Sequence, residues 1–301
     1  MQIFASDHHP LPLPPDHPFP GDKYTLLRRR VEADPALAGH PIRPAPVATT
    51  EQLLRVHDPD YVQRVAYGLL TKAELRRIGF PWSEALFRRS LHSVGGTIAA
   101  GHAAVAHGVA ANLAGGTHHA ARGRGAGFCV FNDVMVAIRD LQAAGVIRRA
   151  VILDCDVHQG DGTAELAAGD PTVFTFSIHG ANNFPVRKQR SDLDVPLPNA
   201  TGDDAYLEAL EPALRDSLDR AQADLVFYLA GADPFVGDRF GRLALTKEGL
   251  ATRDRVVLEA CRARHLPVAL AMAGGYAKNL EDIVDIQVET LRIAAAGGGK
   301  R

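Results

Sequence analysis

The sequence predicts an α/β fold with a mostly parallel central sheet and helices on both faces. Short apolar runs alternate with longer amphipathic patterns along its 301 residues, as expected when parallel strands are joined by crossover helices. With 46% hydrophobic and 23% charged residues, the chain can bury a large core, and single α/β domains reach this length. We therefore predict one domain that covers residues 1–301.

The apolar runs predict six strands, and the amphipathic stretches predict six helices. The strands are placed at residues 2–5, 110–114, 150–153, 172–177, 225–229 and 267–272. The helices are placed at residues 59–70, 84–107, 134–144, 204–221, 246–265 and 279–294. Ligands of such sheets bind beyond the carboxyl ends of the strands. We expect the longest irregular stretches, 6–21 and 180–199, to shape the entrance to that region.

An acidic segment of sequence DCDVHQGDG, at 154–162, directly follows an apolar run. In an extended chain alternate side chains share a face, so Asp156 and His158 can converge on one point. Asp233, which follows the strand predicted at 225–229, is a third candidate ligand. Two Asp and one His would bind a divalent ion and leave a position open, as in a catalytic zinc site.

Each of these residues also has a simpler interpretation. An Asp or His just after a strand often caps a helix or bonds a loop. However, the three acidic residues and one His within 154–161 would repel one another and lose solvation unless a cation or donors compensate them. The combination therefore favours a metal site.

A tandem pair, His118 and His119, lies in a Gly-rich segment just after the strand predicted at 110–114. In a loop, both imidazoles can face the metal and take different protonation states. Asp154 and Asp161 can each accept a hydrogen bond from one ring N–H, which fixes the tautomer and raises the basicity of that ring. A lone His-His pair is more often structural, but the acidic segment favours a catalytic pair.

Tyr276 follows Gly274 and Gly275, just after the strand predicted at 267–272. Glycines allow the backbone to approach a ligand closely, and the Tyr hydroxyl can donate to a developing oxyanion. An ordinary turn beside a packed Tyr is the alternative interpretation, since Gly-rich turns are common.

These motifs occur in the order seen in the histone deacetylase superfamily, and the resemblance spans nearly the whole chain. The motifs that carry it are the tandem His pair, GFCVFN at 127–132, the acidic segment, AGAD at 230–233 and GGY at 274–276. The chain is most similar to the class IV branch, through FP at 19–20, KY at 23–24, VHDPDY at 56–61, FPVRK at 184–188 and SDLD at 191–194. The resemblance implies an arginase/deacetylase-like fold and a zinc-dependent amidohydrolase that removes an acyl group from a lysine side chain or a related amine.

The resemblance also implies which residues bind. Asp156, His158 and Asp233 would hold Zn²⁺. Phe128 and Phe184 would line a narrow apolar channel suited to the methylene stem of an acylated lysine. The glycines that would accompany them in the channel are Gly127, Gly274 and Gly275.

Further roles follow from the same resemblance. His119, oriented by Asp161, would take a proton from water and deliver it to the leaving amine. His118, paired with Asp154, would tune the charge of the site, and Tyr276 would stabilise the oxyanion. A structural potassium ion would be held by Asp154, Ser177 and backbone oxygens of the acidic segment.

Composition excludes several classes of partner. The formal net charge is −2, and the densest basic cluster, 28–30, fits a solvated helix face, so direct nucleic-acid binding is not expected. Cys129, Cys155 and Cys261 show neither paired nor CxxC spacing, which favours a reducing compartment over a disulfide framework. The sequence has no apolar stretch of about 18 residues and no signal-peptide pattern, so we expect a cytoplasmic protein without a membrane span. The oligomeric state is not predicted.

Other functions fit parts of the sequence. An arginase-like hydrolase needs two metals, whereas the acidic segment lacks the tighter Asp-x-His-x-Asp spacing of that group. A non-catalytic acyl-lysine binding module requires the loss of catalytic groups that are present here. A nucleotide-binding protein would depend on GRGAG at 123–127, which matches neither a Walker loop nor the GxGxxG fingerprint. Within the superfamily, an acetylated polyamine or another small amide is the alternative substrate.

Overall fold

One eight-stranded parallel sheet runs through the computed structural model, which describes residues 1–297. Its strands are β1 (Gln2–Ala5), β2 (Ile42–Pro44), β3 (Val109–Asn112), β4 (Ala150–Asp154), β5 (Val173–Gly180), β6 (Leu193–Leu197), β7 (Leu225–Leu229) and β8 (Val268–Ala271). They are arranged in the order β2-β1-β3-β8-β7-β4-β5-β6, and each pairing between them is parallel.

Helices cover both faces of this sheet. They are α1 (Lys23–Ala33), α2 (Thr50–Leu54), α3 (Pro59–Ala66), α4 (Lys72–Ile78), α5 (Glu84–His107), α6 (Asp133–Ala143), α7 (Asp161–Ala167), α8 (Asp203–Ala221), α9 (Lys247–Ala263) and α10 (Leu280–Ala296), with a 3₁₀ turn at Pro35–Leu37. Successive side chains of a strand point to opposite faces, so the sheet contributes to two cores. In β4, Val151 and Leu153 pack with α1, α8, α9 and α10. Ala150 and Ile152 pack on the other face with α5 and α6.

The predicted fold class is confirmed, and the six predicted strands are present within a few residues of their expected ends. Two strands were not predicted, β2 and β6. Both lie at sheet edges, where half-exposed residues weaken the apolar pattern and where Pro44 and Pro196 are tolerated because one side of the strand is unpaired. The prediction that 180–199 is irregular throughout is therefore wrong for β6. The predicted domain extends to 298–301, which lie outside the described residues.

The cluster 28–30 is more than a solvated helix face. Arg28 pairs with Asp7 at 2.8 Å and with Glu32 at 2.5 Å, and Arg30 pairs with Asp285 at 3.0 Å. These contacts fasten α1 to α10 and to the segment that follows β1. Within residues 1–297, no helix is long and apolar enough to cross a membrane.

Candidate active site

The candidate site lies where four neighbouring strands, β3, β8, β7 and β4, end at the same edge of the sheet. Asp154 is the last residue of β4, Asp233 follows β7, and Tyr276 follows β8. The loop after β3 carries His118 and His119. Because the carboxyl ends of parallel strands converge, residues that are distant in sequence meet here, and all of these side chains are buried.

Asp156, His158 and Asp233 form a compact cluster of potential ligands. One ligand atom from each lies within 4.8 Å of the others. His158 Nδ1 is 3.0 Å from Asp156 Oδ1 and 3.2 Å from Asp233 Oδ2. The structure therefore brings the three predicted ligands to one point.

Backbone groups hold the two carboxylates of this cluster. The Gly274 N–H donates to Asp156 Oδ2 at 2.7 Å, and the Val157 N–H donates to Asp233 Oδ1 at 2.9 Å. A Cβ at position 274 would lie 1.9 Å from Asp233 Oδ2, so only glycine allows this close approach. Gly274 thus supports the carboxylates as well as lining the cavity.

The cluster fits a bound cation. Asp233 Oδ2 is buried and has no hydrogen-bond partner among residues 1–297, although the ring of His158 is near. A buried, unpaired carboxylate oxygen is costly unless a donor or cation compensates it. Burial, reinforced by the charge of Asp156, raises the pKa of Asp233 to about 7. An Asp-His-Asp donor set suits zinc and leaves room for further ligands.

The two histidines of the tandem pair have separate carboxylate partners. His118 Nδ1 lies 2.7 Å from Asp154 Oδ2, and His119 Nδ1 lies 2.6 Å from Asp161 Oδ1. The two Nε2 atoms face each other at 3.1 Å. Since a carboxylate accepts, each Nδ1 is the protonated nitrogen, and both Nε2 atoms are directed to the same region.

The two rings differ in charge. Burial alone would lower the pKa of His118, but the carboxylates of Asp154 and Asp156 raise it to about 9. Burial, followed by the charge of His118, lowers the pKa of His119 to about 4. At neutral pH the pair therefore holds one imidazolium and one neutral imidazole, which is the separation of acid and base that adjacent titrating groups can provide.

The loop that carries the pair is fastened from below by Asp133, the first residue of α6. Its carboxylate accepts from the backbone N–H groups of Gly116 at 3.0 Å and Thr117 at 2.7 Å. It also accepts from the hydroxyl groups of Thr97 and Thr117, each at 2.6 Å. Four donors on one buried carboxylate fix the loop and hence the positions of both rings.

Tyr276 lines the same cavity as His118, His119, Asp156 and His158. Its backbone is held on both sides. The Tyr276 N–H donates to Asp238 Oδ2 at 2.6 Å, and Arg239 Nε donates to the Tyr276 carbonyl at 2.9 Å.

A buried lysine was not anticipated as part of the site. Lys23 is 1% exposed, and its ammonium donates to the Gly275 carbonyl at 3.2 Å. The ammonium lies 5.4, 5.2 and 5.1 Å from the ring centroids of Phe19, Tyr24 and Tyr276. Cation–π contacts of this kind compensate part of the desolvation of a buried charge. The cavity therefore contains a fixed positive charge beside Tyr276.

The predicted channel residues lie around the mouth of this cavity. Phe128 packs against Phe19 with centroids 5.3 Å apart and against Tyr276 at 5.7 Å. Phe184 is 44% exposed, and its ring stands edge-on to His119 at 4.8 Å. Gly127 lies between the rings of His119 and Phe184. A Cβ at this position would be 2.5 Å from His119 Cδ2 and 3.2 Å from Phe184 Cε1, so a side chain would crowd both rings.

Comparisons with known proteins agree with this geometry. The family model described as "Histone deacetylase domain" matches residues 17–291. The chain belongs to the histone deacetylase family. Membership of this family supports a general deacetylase function. The His, Asp and Tyr side chains described above are the groups of this chain that could catalyse deacetylation.

Relatives of this histone deacetylase domain come from several organisms. An uncharacterized protein of Picosynechococcus sp. is 48% identical over 284 residues, covering 93% of this chain and 95% of the relative. Histone deacetylase 2 of Arabidopsis thaliana is 31% identical, covering 91% of this chain and 73% of the relative. Acetoin utilization protein AcuC of Bacillus subtilis is 31% identical, covering 77% of this chain and 65% of the relative.

Solved structures share the deacetylase fold. A histone deacetylase homologue from Aquifex aeolicus superimposes with a TM-score of 0.82 at 24% identity, covering 98% of this chain and 84% of that chain. The HD domain of HDA15 superimposes with a TM-score of 0.80 at 22% identity, covering 99% of this chain and 91% of that chain.

Ser177 lies beside Asp154 in the register of β4 and β5. Its hydroxyl is 3.0 Å from His179 Nδ1, while Asp154 contacts His118 and the Asp156 N–H. The structure thus brings the two predicted potassium ligands together, with the Ser177 hydroxyl directed to a histidine.

Arg253, in α9, supports the acidic segment from beneath. It is fully buried, and its Nη1 donates to the carbonyls of Gly231 at 2.6 Å and Cys155 at 3.3 Å. Its Nε donates to Asp254 at 2.9 Å. One guanidinium therefore links the segment that carries Asp156 to the segment that carries Asp233.

Sequence reasoning missed Lys23, Asp133, Asp238 and Arg253. None of the four follows a predicted strand directly, which was the criterion for candidates. One signal was available for Arg253. It lies three residues after Leu250 and four before Val257, both buried, so a charge falls within the apolar stripe of an amphipathic helix, where it needs buried partners.

Proposed function

We propose that this deacetylase is a zinc-dependent amidohydrolase that removes an acetyl or longer fatty acyl group from a lysine side chain. One observation carries the proposal. The buried cluster of Asp156, His158 and Asp233 shares a cavity with two His-carboxylate pairs and with Tyr276. Ligands, a base, an acid and an oxyanion donor are the parts that hydrolysis of an unactivated amide requires.

Asp156, His158 and Asp233 would hold the metal. Bound zinc supplies Lewis-acid chemistry, since it polarises a carbonyl and lowers the pKa of water. The unpaired Oδ2 of Asp233 supports this assignment. The N–H groups of Gly274 and Val157 each donate to one carboxylate oxygen, of Asp156 and Asp233 respectively, and so fix the direction of the ligand atoms.

His119 is the general base of the proposed reaction because it is the neutral member of the pair. It accepts a proton from the attacking water at Nε2, while Asp161 stabilises the imidazolium that results. His118, already protonated and paired with Asp154, keeps a positive charge beside the reacting centre. His119 then delivers the proton that it took from water to the leaving amine as the C–N bond breaks.

Tyr276 donates its hydroxyl to the oxygen that becomes negative as the amide carbon turns tetrahedral. Burial raises the pKa of Tyr276 well above its ordinary value, so the hydroxyl keeps its proton at neutral pH. The ammonium of Lys23, 5.1 Å from the Tyr276 ring, adds a positive potential on the same side.

The entrance supports an acylated lysine in a peptide as the substrate. Phe128 and Phe184 present rings to a methylene stem, which binds by apolar contact. Two exposed arginines, Arg187 and Arg190, lie three and six residues after Phe184 in the sequence. These charges disfavour a polycation, so the acetylated polyamine is the weaker alternative.

A longer acyl group would extend into a small cavity that adjoins the site. A second cavity shares Phe19, Tyr24 and Phe128 with the first, and its wall includes Leu11 and Leu86. Its mostly apolar wall suits a hydrocarbon chain, and burial of each methylene is worth about 0.8 kcal/mol.

A potassium ion held by Asp154 and Ser177 is part of the proposal. Their adjacency in β4 and β5 supports it. The test is to replace potassium by a large organic cation. Unchanged activity would contradict a role for a potassium ion at this position. We further place the enzyme in the cytoplasm, since its three cysteines are buried free thiols.

The test is hydrolysis of one lysine peptide that carries an acetyl, octanoyl or myristoyl group, with an acetylated polyamine in parallel. Chelator-sensitive release from the lysine peptide is the expected result, and the preferred acyl length identifies the substrate class. Turnover of the acetylated polyamine alone would identify an acylated small amine, and not an acylated lysine, as the substrate. No turnover of any substrate by zinc-loaded protein would contradict the proposal.

A further inference from the structure

Three histidines lie together outside the candidate active site. His8 and His9 follow β1, and His92 lies in α5. The rings of His9 and His92 stack with centroids 3.9 Å apart, and those of His8 and His92 are 5.2 Å apart. One nitrogen from each ring can be chosen so that all three atoms lie within 4.8 Å of one another. The fold thus brings two distant parts of the chain into one imidazole cluster.

His92 is oriented in the way that metal-binding histidines usually are. Its Nδ1 lies 2.7 Å from the Ala45 carbonyl. A carbonyl oxygen only accepts, so Nδ1 carries the proton and Nε2 keeps its lone pair for a metal. A backbone carbonyl on the opposite ring nitrogen fixes both the tautomer and the direction of a ligating imidazole.

The segment that carries the other two histidines is held in place. Arg89 Nη1 donates to the Ser6 carbonyl at 2.6 Å, and Arg28 Nε donates to Asp7 Oδ2 at 2.8 Å. The His9 N–H donates to the Ser6 carbonyl at 3.1 Å. The backbone is therefore positioned, and only the rings of His8 and His9 need to turn to complete a ligand set.

We propose that His8, His9 and His92 form a second metal site, for zinc, nickel or copper as a divalent ion. Imidazole ligands without a carboxylate suit these ions, whereas magnesium and calcium require oxygen ligands. Zinc–nitrogen bonds of about 2.0–2.1 Å place tetrahedral ligand atoms roughly 3.4 Å apart. Rotation of exposed His8 and half-exposed His9 closes the set to this spacing, and water completes the coordination.

The ion fastens the segment after β1 to α5. One turn earlier in α5, the Arg89 guanidinium lies 4.2 Å from the centre of the Tyr24 ring, and Tyr24 lines the candidate active site. The second ion is therefore structural. It stabilises the wall of the site without contacting the reacting groups.

Zinc content per chain tests this site. Full-length protein without a polyhistidine tag is stripped of metal, dialysed against zinc and analysed by mass spectrometry. Wild type is expected to hold two zinc ions per chain, and His8→Ala/His9→Ala is expected to hold one and to keep wild-type deacylation. Asp233→Asn should also hold one. The control His107→Ala, at an exposed histidine elsewhere on α5, should hold two.

Copper gives a second readout. In Asp233→Asn, bound Cu²⁺ should show the electron paramagnetic resonance signature of nitrogen ligands, and adding His8→Ala/His9→Ala should abolish it. His9→Gln, which preserves side-chain size, should weaken the signal if the loss is specific to imidazole. The site is overturned if His8→Ala/His9→Ala binds as many zinc ions per chain as wild type. It is supported if this variant binds one zinc ion fewer than wild type, whether or not the active site holds zinc.

Discussion

The floor and the entrance of the candidate active site are built in opposite ways. The floor, formed by Asp156, His158 and Asp233, is at most 8% exposed and is held by backbone N–H groups of the segments that follow β4 and β8. The entrance carries Phe184 at 44% exposure and Val186 at 97%. Buried charges at strand ends have few alternative arrangements, whereas exposed loop residues do. We infer that the strand ends position the reacting groups and that the entrance loops select the acylated amine.

The largest effect is expected at the floor. Asp233→Asn removes a proposed ligand, and loss of several kcal/mol of Lewis-acid stabilisation corresponds to a rate loss on the order of a thousandfold or more. Zinc content and kcat on an acylated lysine peptide are measured together. Asp204→Asn, on the exposed start of α8, is the matched control. Retention of both catalytic zinc and turnover in Asp233→Asn would contradict the proposed ligand set.

Tyr276→Phe tests the oxyanion donor beside the floor and leaves all three proposed metal ligands unchanged. Loss of one oxyanion donor should lower kcat by about a hundredfold, with zinc content unchanged. Tyr67→Phe, at a residue that is 71% exposed, should leave kcat unchanged. Near-normal turnover in Tyr276→Phe would remove this hydroxyl from the mechanism.

Arg253→Lys tests whether the floor depends on support from beneath. Lysine keeps the charge but lacks the fork that binds Gly231 and Cys155, so the affinity for catalytic zinc should fall by about 10- to 100-fold, the range typical of groups that orient ligands. Chelator competition measures this affinity. Arg255→Lys, in the exposed pair with Glu248 on the same helix, is the control. Equal zinc affinity in both variants would show that Arg253 stabilises the fold but does not orient the proposed zinc ligands.

The smallest effect is expected at the entrance. Phe184→Ala removes an edge-on contact with His119, and an aromatic pair of this kind is worth about 0.5–1.5 kcal/mol. KM for acylated peptides should rise up to about tenfold, with zinc affinity unchanged. Val186→Ala should change neither quantity. A loss of zinc from Phe184→Ala would show that entrance and floor are not independent.

The residues that could be predicted from the sequence are those that directly follow an apolar strand. His118, His119, Asp156, Asp233 and Tyr276 were all selected in this way, and they lie together because a parallel sheet places its strand ends at one edge.

The residues that support them could not be found by the same rule. Asp133 lies at the start of a helix, Asp238 lies in a loop, and Arg253 lies within a helix. Each of them binds backbone groups, which have no signature in the sequence. The edge strands β2 and β6 were missed because an edge strand pairs on one side and needs no continuous apolar pattern.

Adding zinc back to metal-free protein tests most directly whether the cluster of Asp156, His158 and Asp233 acts through a bound metal. Metal-free His8→Ala/His9→Ala protein, in which the second metal site is absent, is titrated with zinc while hydrolysis of the acylated lysine peptide is followed. We expect no hydrolysis without metal and a rate that rises until one zinc is bound per chain. Full hydrolysis by the metal-free protein would show that the buried Asp-His-Asp cluster does not act through a metal.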